Sequence, residues 1–161
     1  MLISVSGTKE LSRVSAKLRA AGSEGKGLRR TMKRNIVAAV KPMQTAVKAN
    51  ALAIPAKGPD HTGLRRAIAR ATKIRIGTSS RNTMVRLWVN PALMPAGQET
   101  LPAHMEGDSS NGKWRHPVFG HASQPWVGQK SHPYFRPAVA PRIVGVRAAA
   151  VAAARETAAS I

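Results

Sequence analysis

Leu28, Met32, Ile36, Val40, Met43 and Val47 recur at steps of four, four, four, three and four along the chain. At 3.6 residues per turn this spacing puts all of them on one stripe of a helix, and Arg29, Arg30, Lys33, Arg34, Lys41 and Lys48 fan out away from it. A chain carrying such a segment must bury a long helical stripe, either in its own core or against a neighbouring subunit. Pro42 lies within the pattern. It lacks a backbone donor, so the expectation is a kink around residues 38–42 or a division of the helix in two.

The flanking segments are shorter. LISVS at the start alternates apolar and polar residues and predicts a strand closed by Gly7. Thr8 then offers an N-cap for a helix carrying Leu11, Val14 and Leu18. Ala20–Gly27 (AAGSEGKG) is expected to break that helix, because glycine costs about 1 kcal/mol relative to alanine in a helix interior. Residues 53–63 read as a loop. Thr62 is placed to cap a short helix GLRRAIARA, with Leu64 and Ile68 on one side and Arg65, Arg66 and Arg70 on the other. KIRIGT and TMVRLWVN alternate with period two and predict a hairpin across a turn containing Ser79, Ser80, Arg81 and Asn82. Its one face holds Ile74, Ile76, Val85, Leu87 and Val89, and its other face Trp88, Arg75 and Arg86. Residues 91–113 read as a long irregular excursion, with AHMEGDSSNG its most polar and least ordered part. The Ala-rich tail after Pro141 predicts a helix with Val144, Arg147 and Val151 along it.

The fold class that follows is α+β: a small antiparallel sheet packed with a long N-terminal helical segment and a C-terminal helix, with a long inserted loop. A chain of 161 residues fits one domain. Its parts are a helical portion at 1–52, a short helix and hairpin at 53–90, a long loop region at 91–139 and a C-terminal helix at 140–161. Much of the apolar content is alanine, which makes a thin core and favours stability shared with neighbouring copies. The chain has no cysteine, which excludes disulfides and cysteine-based zinc sites. No run reaches about 18 consecutive apolar residues, and the N-terminus lacks the order of a secretory signal. The net charge is +19, with 19 Lys and Arg against 3 acids in residues 1–90 and 7 against 4 thereafter. Such a field attracts nucleic acid or acidic protein surfaces.

Trp114–Val139 gathers two of the three tryptophans, both phenylalanines, the single tyrosine and three of the five histidines. Catalysis is not expected there or elsewhere: the acids are scattered, and no GxSxG, GK[ST] phosphate loop, HExxH or GxGxxG occurs. His104, Glu106, His116, His121 and His132 are near in sequence but lack the spacing that makes ligands converge on a metal. His116 and His132 precede proline and are held extended, which suits backbone or interface hydrogen bonds. No cofactor or metal is expected. Base stacking on the aromatics is disfavoured because Pro117, Pro125, Pro133 and Pro137 divide the segment into short pieces. A rigid, proline-stiffened contact loop remains, with aromatics locking it onto the sheet and an adjacent subunit while residues 91–113 reach a neighbouring ring.

Over residues 60–150 the order of motifs resembles the head-to-tail joining, or tail completion, family of neck proteins of long-tailed bacteriophages. The residues that carry the likeness are Thr62-Gly63-Leu64-Arg65, Met105-Glu106-Gly107, Arg115-His116-Pro117-Val118-Phe119-Gly120, Trp126-Val127 and Pro133-Tyr134-Phe135-Arg136-Pro137-Ala138. The resemblance implies a non-catalytic virion protein, assembled in the host cytoplasm. It would form a homo-oligomeric ring, a hexamer or a dodecamer, between the head-closure or connector ring and the tail terminator. DNA would pass through the channel, and no membrane is involved. Interface residues are then expected among Trp114, Arg115, His116, Phe119, Trp126, Tyr134, Phe135 and Arg136. Electrostatic contacts are expected from Arg29, Arg30, Lys33, Arg34, Arg65 and Arg66. The basicity departs from a surface past which DNA slides, so these charges belong on the outer face or against acidic neighbours. The alternatives are a basic DNA-binding or packaging-associated protein, and a tail terminator of the same neck.

Overall fold

The structure is a computed structural model that describes residues 2–6, 9–55, 63–78, 83–107, 112–117 and 125–160. Gly7, Thr8, Thr62, the 79–82 turn, Phe119 and His121 lie outside the described residues, as does most of the 53–63 loop. The architecture is mixed helix and strand, as the patterning predicts: small antiparallel sheets, a long helix near the N-terminus and a C-terminal helix.

Strand β1 (Leu2–Ser6) is followed by helix α1 (Lys9–Ala20) and the long helix α2 (Gly22–Leu52). The stripe behaves as expected. Met32, Ile36, Val40, Met43 and Val47 are buried and Leu28 packs against them, each full burial contributing about 1.5–3 kcal/mol. Pro42 does not divide the helix, which runs through it unbroken. The proline sits on the exposed side of α2, away from the buried stripe.

The expected break at Ala20–Gly27 shrinks to a hinge at Ala21 and Gly22, and Gly22–Gly27 is already helical. Tertiary packing overrides helix propensity here. Gly22 takes φ +57°, a left-handed conformation open to glycine. A Cβ on Gly25 would collide with the Leu18 carbonyl, so glycine is what lets α1 and α2 close together. That carbonyl, near the α1 C-terminus, accepts from Arg29 Nη2 at 3.3 Å. Gly25→Ala is therefore expected to destabilise by about 2 kcal/mol although alanine is the better helix former, because overpacking costs more than propensity returns. Chemical denaturation measures it. An unchanged or higher midpoint would show that the two helices part easily.

Helix α3 (Leu64–Ala71) runs directly into strand β2 (Thr72–Thr78), which pairs antiparallel with β3 (Thr83–Val89) from Thr72 opposite Val89 to Thr78 opposite Thr83. β1 adds to the other side of β3, giving the order β1-β3-β2. The inward residues are the expected ones: Val85, Leu87 and Val89 are buried, and Ile74 and Ile76 pack on the core. Gln44 Nε2 on α2 donates to Thr72 O at 2.9 Å and ties the sheet to the long helix.

Residues 91–139, expected as a long loop region, contain more structure than that. They hold a 3-10 turn at Pro91–Leu93, helix α4 (Leu101–Glu106), strands β4 (Lys113–Pro117) and β5 (Trp126–Lys130), and the short helix α5 (Arg136–Val139). β4 and β5 form a separate two-stranded sheet. After a second 3-10 turn comes helix α6 (Ile143–Ala159), which packs on α1 and α2. Its buried face is Val146, Ala150, Ala153 and Thr157, while Val144 is 75% exposed. By length and composition, Arg136–Thr157 is apolar enough to cross a membrane. In this fold it is broken into α5, the 3-10 turn and α6.

Candidate functional site

The polar stretch at 103–112 is the part expected to be least ordered, and it supplies Glu106, a side chain that accepts three backbone hydrogen bonds. Glu106 ends α4 and is 2% exposed. Its Oε2 accepts from the backbone N–H groups of Tyr134 at 2.9 Å and Phe135 at 2.7 Å, and its Oε1 accepts from that of Arg136 at 2.8 Å. These donors open α5, whose first turn would otherwise leave them orphaned. A buried carboxylate is costly unless its lone pairs are filled, and three backbone donors fill them.

The return contacts make this a clasp. Met105 O accepts from His132 N at 2.7 Å, and His104 O accepts from Ser131 Oγ at 3.0 Å, so the α4 carbonyls are also satisfied. Gly107 adopts φ +87° and would bring a Cβ to 3.3 Å from Ser131 Cβ. Asn50 Nδ2 on α2 donates to Tyr134 O at 3.1 Å and fastens the clasp to the long helix. The Tyr134 hydroxyl donates to Pro102 O at 3.4 Å. Burial, and secondarily the Glu106 charge, push the Tyr134 phenol well above its ordinary value near 10. The folded chain therefore keeps that proton where the unfolded chain loses it, and pH above about 10 works against the fold.

The histidines find roles beside the clasp. The His104 ring stacks on Trp114 at 5.1 Å and 11°, and His116 lies on Trp114 at 4.7 Å and 34°. Among the described residues no group of three His or acidic side chains converges as a metal site. Trp114 Nε1 is buried and finds no acceptor among the described residues.

The residues expected at an interface separate into two sets. Trp114 is 8% exposed, Tyr134 1% and Phe135 0%, so these aromatics belong to the chain's own core, where Tyr134 and Phe135 meet edge to face at 6.4 Å. Arg115, Trp126 and Arg136 are exposed, and His116 is half-buried. Every residue of β5 is exposed, with Trp126 at 51% and Val127 at 40%. The register puts Lys113 opposite Lys130 and Trp126 opposite Pro117, on the face of the hairpin away from Trp114 and His116. The hairpin is thus anchored through Trp114 on β4, while β5 is exposed along its length, with Val127 and Gln129 on the Trp114 side and Trp126 on the other.

The expected electrostatic residues also divide. Arg29 is spent on Leu18 O, and Arg65 Nη1 donates to Ile54 O at 3.1 Å, so both serve the fold. Lys33 is half-buried, and Arg30, Arg34 and Arg66 are exposed. Sequence reasoning missed Glu106 as a structural centre. The resemblance includes Met105-Glu106-Gly107 without assigning the carboxylate a role, and the residues themselves offer as a signal a carboxylate at the end of a Leu-Pro-Ala-His-Met run just before Gly107.

Compared with protein-family models, curated proteins and solved structures, the chain matches none.

Proposed function

We propose that this chain is a structural virion protein of a phage neck, a tail completion protein. Copies would form a ring, and the ring would join the head-closure or connector component to the tail terminator and tube. The observation that carries the reading is the clasp. Met105-Glu106-Gly107 and Pro133-Tyr134-Phe135-Arg136-Pro137-Ala138, two of the motifs behind the resemblance, are far apart in sequence, and the Glu106 carboxylate joins them into one unit. A buried carboxylate that joins two distant segments through backbone hydrogen bonds builds a rigid scaffold.

The clasp also has an output. It fixes both ends of the β4–β5 hairpin, since Ser131 N donates to Gly112 O at 2.8 Å beside the bonds of Ser131 and His132 to α4. A rigid arm with an exposed tryptophan is the kind of anchor that central interface positions favour. A closed ring needs two different patches on each copy, and the exposed β5 strand provides one of them. Head-closure and tail-terminator proteins are the proposed further neighbours, with DNA in the channel and the virion neck as the location.

Trp126→Ala tests this. The side chain is half in solvent, so the melting temperature should stay within a degree or two of the parent. Complementation of a null virus should yield filled heads and complete tails that do not join, visible by negative-stain microscopy. Full infectivity from Trp126→Ala would overturn the reading.

A further inference from the structure

The β1-β3-β2 sheet buries only one face among the described residues. On the other, Lys73 and Arg75 of β2 are exposed and Arg86 and Trp88 of β3 are half-exposed. The register sets Arg75 directly opposite Arg86 and Lys73 directly opposite Trp88. Like charges facing each other across adjacent strands destabilise a sheet. Opposite charges would relieve this, yet none of the three strands contains an acidic residue. Arg86 Nε donates to Met84 Sδ at 2.8 Å, two residues along the same row, which holds its guanidinium to the strand. The residues of β1 paired with Trp88, Arg86 and Met84 are Leu2, Ser4 and Ser6, all neutral.

Strands that set cations side by side on one face at a cost in sheet stability, and carry no acid of their own, point to an anionic ligand. The tryptophan narrows the class. An acidic protein surface would neutralise the cations and leave the indole without a stacking partner, and a duplex hides its base faces. A single strand offers phosphates and bare bases together. Arg86 and Trp88 stand two residues apart on one side of β3, about 7 Å by strand geometry, comparable with the reach of one nucleotide in an extended strand.

We infer that this sheet face binds single-stranded nucleic acid, with Trp88 stacking a base and Lys73, Arg75 and Arg86 holding the phosphates on either side of it. The inference goes beyond the neck reading and does not rest on it.

The experiment is fluorescence anisotropy of the full chain with a labelled oligothymidylate and with a duplex of equal length, across a salt series. The single strand should bind more tightly than the duplex. Trp88→Ala should weaken it about tenfold. Arg75→Gln should reduce the slope of log affinity against log salt by about 0.7, while raising the melting temperature because a like-charged pair is removed. A variant that melts higher and binds worse cannot be explained by misfolding. Lys41→Gln, an exposed cation on α2, should leave the affinity near the parent's. Three results would each overturn the inference. One is a duplex bound as tightly as the single strand with Trp88→Ala unchanged. Another is Lys41→Gln costing as much as Arg75→Gln, the mark of a diffuse polycation. The third is polyglutamate of equal length binding as well as the oligonucleotide, which would assign the face to acidic protein.

Discussion

Glu106→Ala is expected to lower the unfolding free energy by about 4 kcal/mol. The substitution leaves the N–H groups of Tyr134, Phe135 and Arg136 without their acceptor, and a buried donor stripped of its partner costs about 1–3 kcal/mol. Tyr134 and Phe135 are fully enclosed, whereas Arg136 is exposed and water can replace its lost bond, which keeps the total below a simple sum. For a chain of this size the loss corresponds to roughly 12 °C in melting temperature. Glu106→Gln should fall between, at about 2–3 kcal/mol, because it retains one acceptor oxygen but turns an amide donor toward other donors. Glu99→Gln supplies the comparison. That carboxylate is exposed and, among the described residues, accepts from Gly97 N at 3.1 Å, so its change should stay within about 0.5 kcal/mol. Calorimetry on the three variants decides the matter, and a Glu106→Ala protein that melts with the parent would mean that the clasp contributes nothing net.

The same residue shows where sequence reading stops. The α2 stripe was legible because Met32, Ile36, Val40 and Val47 repeat at helical spacing against charged neighbours, and the β2–β3 hairpin was legible because its period changes to two. Such patterns record which face is buried. Glu106 leaves no pattern, since its partners are backbone N–H groups some thirty residues on, and a backbone donor has no side-chain signature. Composition makes residues 103–112 the most polar and least ordered part, yet the buried Glu106 carboxylate organises the segment that follows. The α6 face was hidden for a different reason. Where nearly every residue is alanine, periodicity has little contrast, and Val144 marks the exposed side while Ala150 and Ala153 are buried. At Gly25 the limit was tertiary: the glycine run looked like a break, but the packing of α1 on α2 uses the missing Cβ.

Phe135→Ala extends the argument to the aromatic segment, where tryptophan, tyrosine and phenylalanine looked alike in sequence. Phe135 is 0% exposed, and Trp126 is 51% exposed. Removing the Phe135 ring opens a cavity beside Tyr134 in the main core and should cost about 3–5 kcal/mol, whereas Phe135→Leu refills most of the volume and should cost about 1.5 kcal/mol or less. The loss appears in the isolated chain, at any protein concentration, as a lower denaturant midpoint. Trp126→Ala should do the reverse, sparing the midpoint and failing only when copies or neighbours must meet. The two variants therefore separate a residue that holds the scaffold together from one that the scaffold displays. Wild-type stability of Phe135→Ala with a defect confined to assembly would return Phe135 to the surface set and break the link between its burial and its role. If both variants behave as expected, the prolines at 125, 133 and 137 have a physical reading. They stiffen a short path that must place one aromatic in the core and hold another in solvent a few residues away.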